Sequence, residues 1–310
     1  MGVCESENSS INIYNKVSIN GEIKDLSKDN LLENSIHEPI KSKYKIIKTK
    51  IGEGSLGKVY IGKDKSGKIY AIKCIKKKKI INGDLFLNEV KMGTKLNHPN
   101  ILSIKEVFED KKAIFFVMEY CKGGDLFDFI TKSPEGKVND LMSIDILIQI
   151  LNAINYLHNE AKICHRDLKP ENFLISINEQ NKPSIKLIDF GVAQYINKEQ
   201  RMTEKVGSFK YMAPEIFINQ SYNEKIDLWS TGIILYNMIT GREPFAFNYD
   251  KFKKKPIFNR NINFNLINNL YIRELCQQLL ERNPRKRIDA KTALKKARNI
   301  KTVLLTKNLE

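Results

Sequence analysis

From residue 44 onward the chain alternates apolar and polar positions. Ile46–Ile51, Gly57–Lys63 and Ile69–Ile75 follow a two-residue period, separated by Gly-containing turns, which predicts half-buried antiparallel strands. Leu85–Leu96 predicts one helix among them. Ala113–Tyr120 is an apolar run of strand length that ends at Lys122-Gly123-Gly124, a break of hinge character. Beyond it the period changes: Ile146, Leu147, Ile150, Leu151, Ile154 and Leu157 have the spacing of a helix over 143–158 with one buried face. Ile226–Ile239 is apolar nearly all round, follows Ser221-Tyr222-Asn223-Glu224 at capping-box spacing and stops at Gly241, so it predicts a central buried helix. Ala293–Leu305 is basic and amphipathic and predicts a closing helix. No repeat or heptad pattern occurs, which disfavours solenoids and coiled coils. The fold class is α+β, with a small antiparallel β lobe holding one helix (44–121) and a larger helical lobe (122–300). Residues 1–43, rich in Ser, Asn and Glu, are expected as a flexible tail and 301–310 as a C-terminal tail.

At 310 residues and 42% hydrophobic composition the chain can bury a substantial core. It holds no uninterrupted apolar run of about 18 residues and no secretory signal pattern in its first twenty, so an intracellular protein is expected. Cys4, Cys74, Cys121, Cys164 and Cys276 lie far apart without a C-x-x-C pair, which argues against a disulfide framework or zinc site. Residues 1–40 carry seven acids against three lysines; of the net charge of +16, that leaves +20 for the rest. Such a charge suits nucleic acid, an anionic membrane leaflet or phosphate-bearing ligands, and equally a lysine-rich solvated surface. No nucleic-acid recognition motif accompanies it, so no specific nucleic-acid partner is expected.

Gly52-Glu-Gly54-Ser-Leu-Gly57-Lys-Val59 fits G-x-G-x-x-G-x-V, in which backbone without side chains can close over phosphates. Alone it could be a glycine-rich turn or a dinucleotide fingerprint, but the latter requires a helix next and a strand is predicted. Tyr70-Ala71-Ile72-Lys73 then places an ammonium on a strand, with Glu89 on the predicted helix as its counter-charge. His165-Arg166-Asp167-Leu168-Lys169-Pro170-Glu171-Asn172, Asp189-Phe190-Gly191 and Ala213-Pro214-Glu215 follow in order.

With these motifs the chain resembles the eukaryotic protein-kinase family from Tyr44 to Ala297. The resemblance implies a bilobal kinase fold, ATP and Mg²⁺ as cofactors, and transfer of the γ-phosphoryl group to serine or threonine hydroxyls of protein substrates. Asp167 is then the catalytic aspartate that accepts the substrate hydroxyl's proton or orients that hydroxyl, Lys169 contacts the transferring group, and Lys73 with Glu89 holds the α- and β-phosphates. Asn172 and Asp189 are the metal ligands. The ATP-binding set is Ile51, Gly52, Gly54, Gly57, Val59, Ala71, Lys73 and the gatekeeper-like Met118, with Glu119 and Cys121 offering backbone groups to adenine, Asp125 near the ribose, and Leu174. Arg166, Phe190, Gly191, Asp227 and the pair Glu215–Arg287 are structural.

Within the family the chain is most similar to the calmodulin-dependent group, especially the kinase domain of protist and plant calcium-dependent protein kinases. Asp125 and Glu171 would favour substrates with basic residues near the target hydroxyl, while Asn237 stands where many basic-directed kinases carry another glutamate. Thr203, Glu204 and Ser208 belong to the activation loop; Glu204 is placed to pair with Arg166 in lieu of a phosphate, and Thr203 is a candidate phosphosite. No EF-hand loop occurs and 23 residues follow Arg287, so direct calcium binding is not expected. Gly93 replaces a large apolar residue and predicts a cavity beside the helix, with Met92 as its filler; it motivates a rival reading, a membrane-anchored pseudokinase scaffold. Met1-Gly2-Val3-Cys4-Glu5-Ser6 fits the myristoylation pattern at Gly2, with Cys4 beside it for palmitoylation. The expected location is the cytoplasm, at the cytoplasmic face of an anionic membrane.

Overall fold

The computed structural model describes residues 16–19, 22–25, 35–36, 38–53, 57–80, 83–177, 182–197, 199–218, 221–245 and 261–307. They fall into two units, one reaching Asn97 and taking in Leu102–Cys121, the other made of His98–Ile101 and the chain from Lys122 onward.

In the first unit the alternating segments are strands, as their period requires. A hairpin of β1 (Lys16–Ile19) and β2 (Glu22–Asp25) is followed by β3 (Tyr44–Glu53), β4 (Gly57–Asp64), β5 (Ile69–Lys76), helix α1 (Gly83–Lys95), β6 (Ile104–Glu109) and β7 (Ala113–Glu119). The last five strands form one antiparallel sheet in the order β3-β4-β5-β7-β6. Val59 stands opposite Lys73 and Ala71 opposite Met118, so these residues share one face. On that face Ile75, Val107, Ile114 and Phe116 pack against Phe86 and Val90 of α1, with the Phe86 and Phe116 rings stacked 6.0 Å apart. Each such buried side chain contributes roughly 1.5–3 kcal/mol, so this cluster holds α1 on the sheet.

The opposite face packs Tyr70, Ile72, Phe108 and Val117 against Tyr44 and Ile40, with Ile36 alongside. This corrects the expectation that the tail runs to residue 43. Ile40 is buried in the turn Ile40–Ser42, and Ile36 pairs in parallel with Phe108 at the sheet edge. Ile36 and Ile40, four apart in a polar stretch, both place apolar side chains against that core.

The second unit contains α2 (Leu126–Lys132), α3 (Asp140–Tyr156), β8 (Ile163–Cys164), β9 (Phe173–Ile177), β10 (Pro183–Leu187), β11 (Gln194–Tyr195), α4 (Pro214–Phe217), α5 (Ile226–Thr240), α6 (Leu270–Leu279) and α7 (Ala290–Lys307). Asn139 caps α3 by accepting from Met142 N–H, and Ile146, Leu147, Ile150, Leu151 and Ile154 are wholly buried on the expected face. Among the described residues, the stretch 140–161 is one helix long and apolar enough to cross a membrane by length and composition; here it is the core helix of this unit. Past Tyr156 the helix widens into a π turn over Leu157–Ala161.

All of α5 except Asn237 is buried, and Gly241 ends it at φ 65°. The expected capping box does not form. Tyr222 is held extended by its bridge to Met202, so the chain turns later, where Asn223 accepts from Lys225 N–H at 3.2 Å. Asp289 stands just before α7 and accepts from both the amide and hydroxyl of Thr292. Helix α7 runs unbroken to Lys307, so residues 301–307, expected as a tail, extend the helix. Lys301–Asp145 at 2.6 Å and Arg298–Asn152 at 3.0 Å fasten it to α3.

Candidate active site

In the first unit, Lys73 Nζ lies 2.6 Å from Glu89 Oε1, both side chains largely sheltered. The strand fixes the lysine backbone and the packed face of α1 fixes the glutamate, so the pair is a consequence of the core beneath it. Gly52, Val59 and Lys73 lie side by side across β3, β4 and β5, next to the row that holds Ala71 and Met118. Ile51 is exposed on β3, Gly57 opens β4 and Glu119 closes β7 opposite Tyr70; Cys121 is partly buried just beyond. Gly54 lies outside the described residues, as do Gly2 and Cys4.

The second unit holds the acid, amide and lysine set. Asp227, wholly buried, accepts from His165 N–H and Arg166 N–H, each at 2.9 Å, and meets His158 Nε2 at 2.8 Å. Burial opposes its ionisation, but the His158 and backbone bonds outweigh that and hold the carboxyl below its ordinary value. This anchor steadies Arg166 in a left-handed backbone conformation, φ 68°, which a side-chain-bearing residue adopts only at a cost of about 1–3 kcal/mol.

The loop then presents Asp167. Its Oδ1 accepts Ser208 N–H at 2.6 Å and its Oδ2 lies 3.1 Å from Lys169 Nζ, which also donates to Ser208 Oγ at 2.8 Å. Burial opposes ionisation here too, and the Ser208 bond and Lys169 charge overcome it, so the carboxyl sits below its usual range. Gly207 makes the clamp possible. Its φ is 102°, and a Cβ there would lie 2.3 Å from Arg166 O.

The Asn172 side-chain amide donates to Asp167 O at 2.8 Å, and the Asn172 backbone carbonyl accepts Ile188 N–H at 2.9 Å, which sets Asp189 next along the chain beside it. Asp189, φ 67°, is exposed and accepts Gly191 N–H at 3.2 Å. An amide oxygen and a carboxylate so paired suit a hard divalent cation. Phe190 is buried with its ring 5.1 Å from His165. Asp125 pairs with Leu174 in an isolated antiparallel bridge, and its Oδ1 caps α2 by accepting Asp128 N–H. Arg287 grips Glu215 with two bonds of 2.6 and 3.0 Å, both side chains buried, 5.1 Å from the Trp229 ring.

Arg166 meets Glu204 at 3.0 Å and also donates to Val192 O, Gln194 Oε1 and the Tyr222 hydroxyl. Tyr222 in turn donates to Glu204 O at 2.6 Å. Gln194, Tyr222 and His158 carry no motif of their own, and sequence reasoning passed over them. Their signal is positional, in that each faces an arginine or aspartate whose motif is visible.

A protein kinase domain model matches residues 45–297. The chain belongs to the protein kinase family. Its antiparallel-sheet lobe and helical lobe are those of the kinase fold. Calcium-dependent protein kinase 14 of Arabidopsis thaliana is 36% identical over 276 residues, covering 85% of this chain and 50% of that protein. Calcium-dependent protein kinase 3 of Plasmodium yoelii yoelii is 37% identical over 259 residues, or 81% and 47%. Serine/threonine-protein kinase ULK3 of Xenopus laevis is 37% identical over 253 residues, or 78% and 52%. The chain thus spans about half the length of these relatives.

The kinase helix α1 differs from expectation at Gly93. No cavity awaits Met92, which is buried in its own right; a Cβ on Gly93 would come within 2.7 Å of Ile104 Cδ1, because Ile104 of β6 fills that space. Exchanging the glycine for leucine should therefore overpack the site and cost about 1–3 kcal/mol in equilibrium denaturation. Gly93→Leu combined with Ile104→Ala should recover most of the loss; equal stability of the single and double variants would show that Ile104 is not the filler.

Proposed function

We propose that this chain is an active protein serine/threonine kinase that transfers the γ-phosphoryl group of ATP to hydroxyls of protein substrates. The observation that carries this reading is the clamped Asp167, set beside Lys169 and Asn172 with Asp189 alongside, together with an intact Lys73–Glu89 pair. Bound ATP with Mg²⁺ would supply the electrophilic phosphorus and neutralise charge on the phosphates. Asn172 and Asp189 are the residues that would hold the metal, and Lys73, kept in place by Glu89, would hold phosphate oxygens. Asp167 stays ionised at neutral pH, so it accepts a hydrogen bond from the incoming hydroxyl, orients it and takes its proton late; its low pKa makes it a weak early base. Lys169 neutralises charge beside it. Positioning and electrostatics carry the rate. The scaffold alternative rested on a cavity at Gly93, and Ile104 occupying that space removes its motive.

Substrates with basic residues near the target fit the charges around the loop at 208–212. Glu171 is exposed, Glu243 pairs with Lys210 at 2.6 Å, and burial together with these two acids pushes the Tyr211 phenol up. In a phosphotransfer assay on peptides with arginine upstream of serine, Asp167→Asn should lower kcat by roughly 10²–10⁴ with little change in the KM for ATP. An unchanged kcat would sink the assignment, as would equal use of acidic and basic peptides for the substrate class.

The activation segment is primed without phosphate, through Glu204 and Arg166. Phosphatase-treated enzyme from bacteria should stay active. Because Glu204 is 66% exposed, Glu204→Gln should cost only about two- to fivefold; total loss of activity on dephosphorylation would contradict the idea. At the N-terminus, the Gly2 pattern and the basic domain support tethering to an anionic leaflet, so Gly2→Ala should move the chain from the membrane fraction to the soluble fraction, and retention there would exclude the lipid anchor.

A further inference from the structure

Two acids flank one phenol near Asp167, and only one of them is open. Tyr211 lines a shallow hollow with Asp167, Ser208 and Met212. Burial, then Glu171, then Glu243 oppose ionisation of its phenol, so both carboxylates stand within electrostatic reach of that ring. Glu171 is exposed and has no ion-pair partner among the described residues. Glu243, three residues beyond the end of α5, is held at 2.6 Å by Lys210 Nζ.

The backbone on both sides of this pair is tied down. Lys210 sits in the turn Phe209–Tyr211, two residues past Ser208, whose N–H is bound to Asp167 Oδ1 at 2.6 Å. Ser230 of α5 donates to Tyr211 O at 2.7 Å, and Arg242 N–H donates to Thr240 Oγ1 at 3.2 Å. The turn and the segment carrying Glu243 are thus both anchored on α5. The two side chains are 55% and 42% exposed, so their pair is a weak one that a stronger partner can displace. Arginine is such a partner, because its planar guanidinium can meet both oxygens of a carboxylate, whereas the ammonium here meets one.

We propose that Lys210 is a specificity-determining residue: it occupies Glu243 as a built-in competitor, so that the cleft reads one basic substrate residue through Glu171 and gives little weight to a second. The assignment rests on the substrate class proposed above and narrows it to proteins in which one basic residue before the target hydroxyl is enough. A second arginine gains Glu243 only by releasing Lys210, and the freed ammonium then stands beside the incoming guanidinium with like charge. The first arginine meets no such obstacle, because Glu171 has no guard.

The full chain should be tested on serine peptides with one upstream arginine, each compared with peptides that carry a second arginine at every other upstream position in turn. The ratio of two-arginine to one-arginine peptide is read in affinity, by fluorescence anisotropy, and in kcat/KM. For the wild type it should stay below about twofold at every position. In Lys210→Gln it should rise about two- to fivefold at one or more positions, the strength of an exposed ion pair, while Lys210→Arg should keep the wild-type value. Adding Glu243→Gln to Lys210→Gln should abolish the rise, since the acid that the second arginine reads is gone. A strong wild-type preference for two arginines, an unchanged ratio in Lys210→Gln, or a rise that survives Glu243→Gln overturns the role of Lys210. Absence of phosphate transfer to any peptide would instead overturn the kinase reading, and the affinity ratio would still decide whether Lys210 guards Glu243.

Discussion

The loop that presents Asp167 in the second unit hangs on one buried carboxylate. Taking an ion out of water costs several kcal/mol unless donors replace its hydration, and at Asp227 the replacements are the amides of His165 and Arg166 and the ring of His158. Because those amides belong to consecutive residues, the carboxylate dictates the backbone there and sustains the left-handed turn at Arg166. That turn sends neighbouring side chains to different tasks. Arg166 reaches toward Gln194, Glu204 and Tyr222, whereas Asp167 meets Ser208. The π turn after α3 has its place in this account, for it carries His158, the third donor.

The same logic of satisfied charge runs through the two units separately. Lys73 and Glu89, Lys77 and Glu109, and Glu215 and Arg287 are each paired at hydrogen-bond distance, and the more buried the pair the more complete its satisfaction. Arg287 is the extreme case. Its guanidinium, with no exposure, holds both oxygens of Glu215, accepts the field of the Trp229 ring and donates to two carbonyls, so no donor face is left to an apolar neighbour.

Much of this was legible in the sequence where local chemistry repeats a pattern. The strand period located β3, β4 and β5, the helical period found α3 and α5, and the charged motifs named Lys73, Glu89, Asp167, Asn172 and Asp189. What escaped was decided by residues far apart in the chain. β6 carries no clean alternation, since Glu106 and Glu109 interrupt it, yet Val107 and Phe108 face opposite cores and make it a strand. The docking of Ile36 depends on Phe108, far away in the chain on the sheet edge, and the filling of the Gly93 site on Ile104. The capping-box spacing at Ser221 misled because Tyr222 was already committed to Met202 and Glu204.

The commitment of Tyr222 also bears on how the activation segment is held. An ion pair to a glutamate two-thirds exposed is a weak fastening, worth at most about 1 kcal/mol. The segment is tied more firmly by groups that salt does not screen: the Met202–Tyr222 backbone bridge, the Tyr222 hydroxyl on Glu204 O, and Ser208 N–H on Asp167. Glu204 therefore biases a conformation that hydrogen bonds already specify. A phosphate in this loop would add to an arrangement that exists without it.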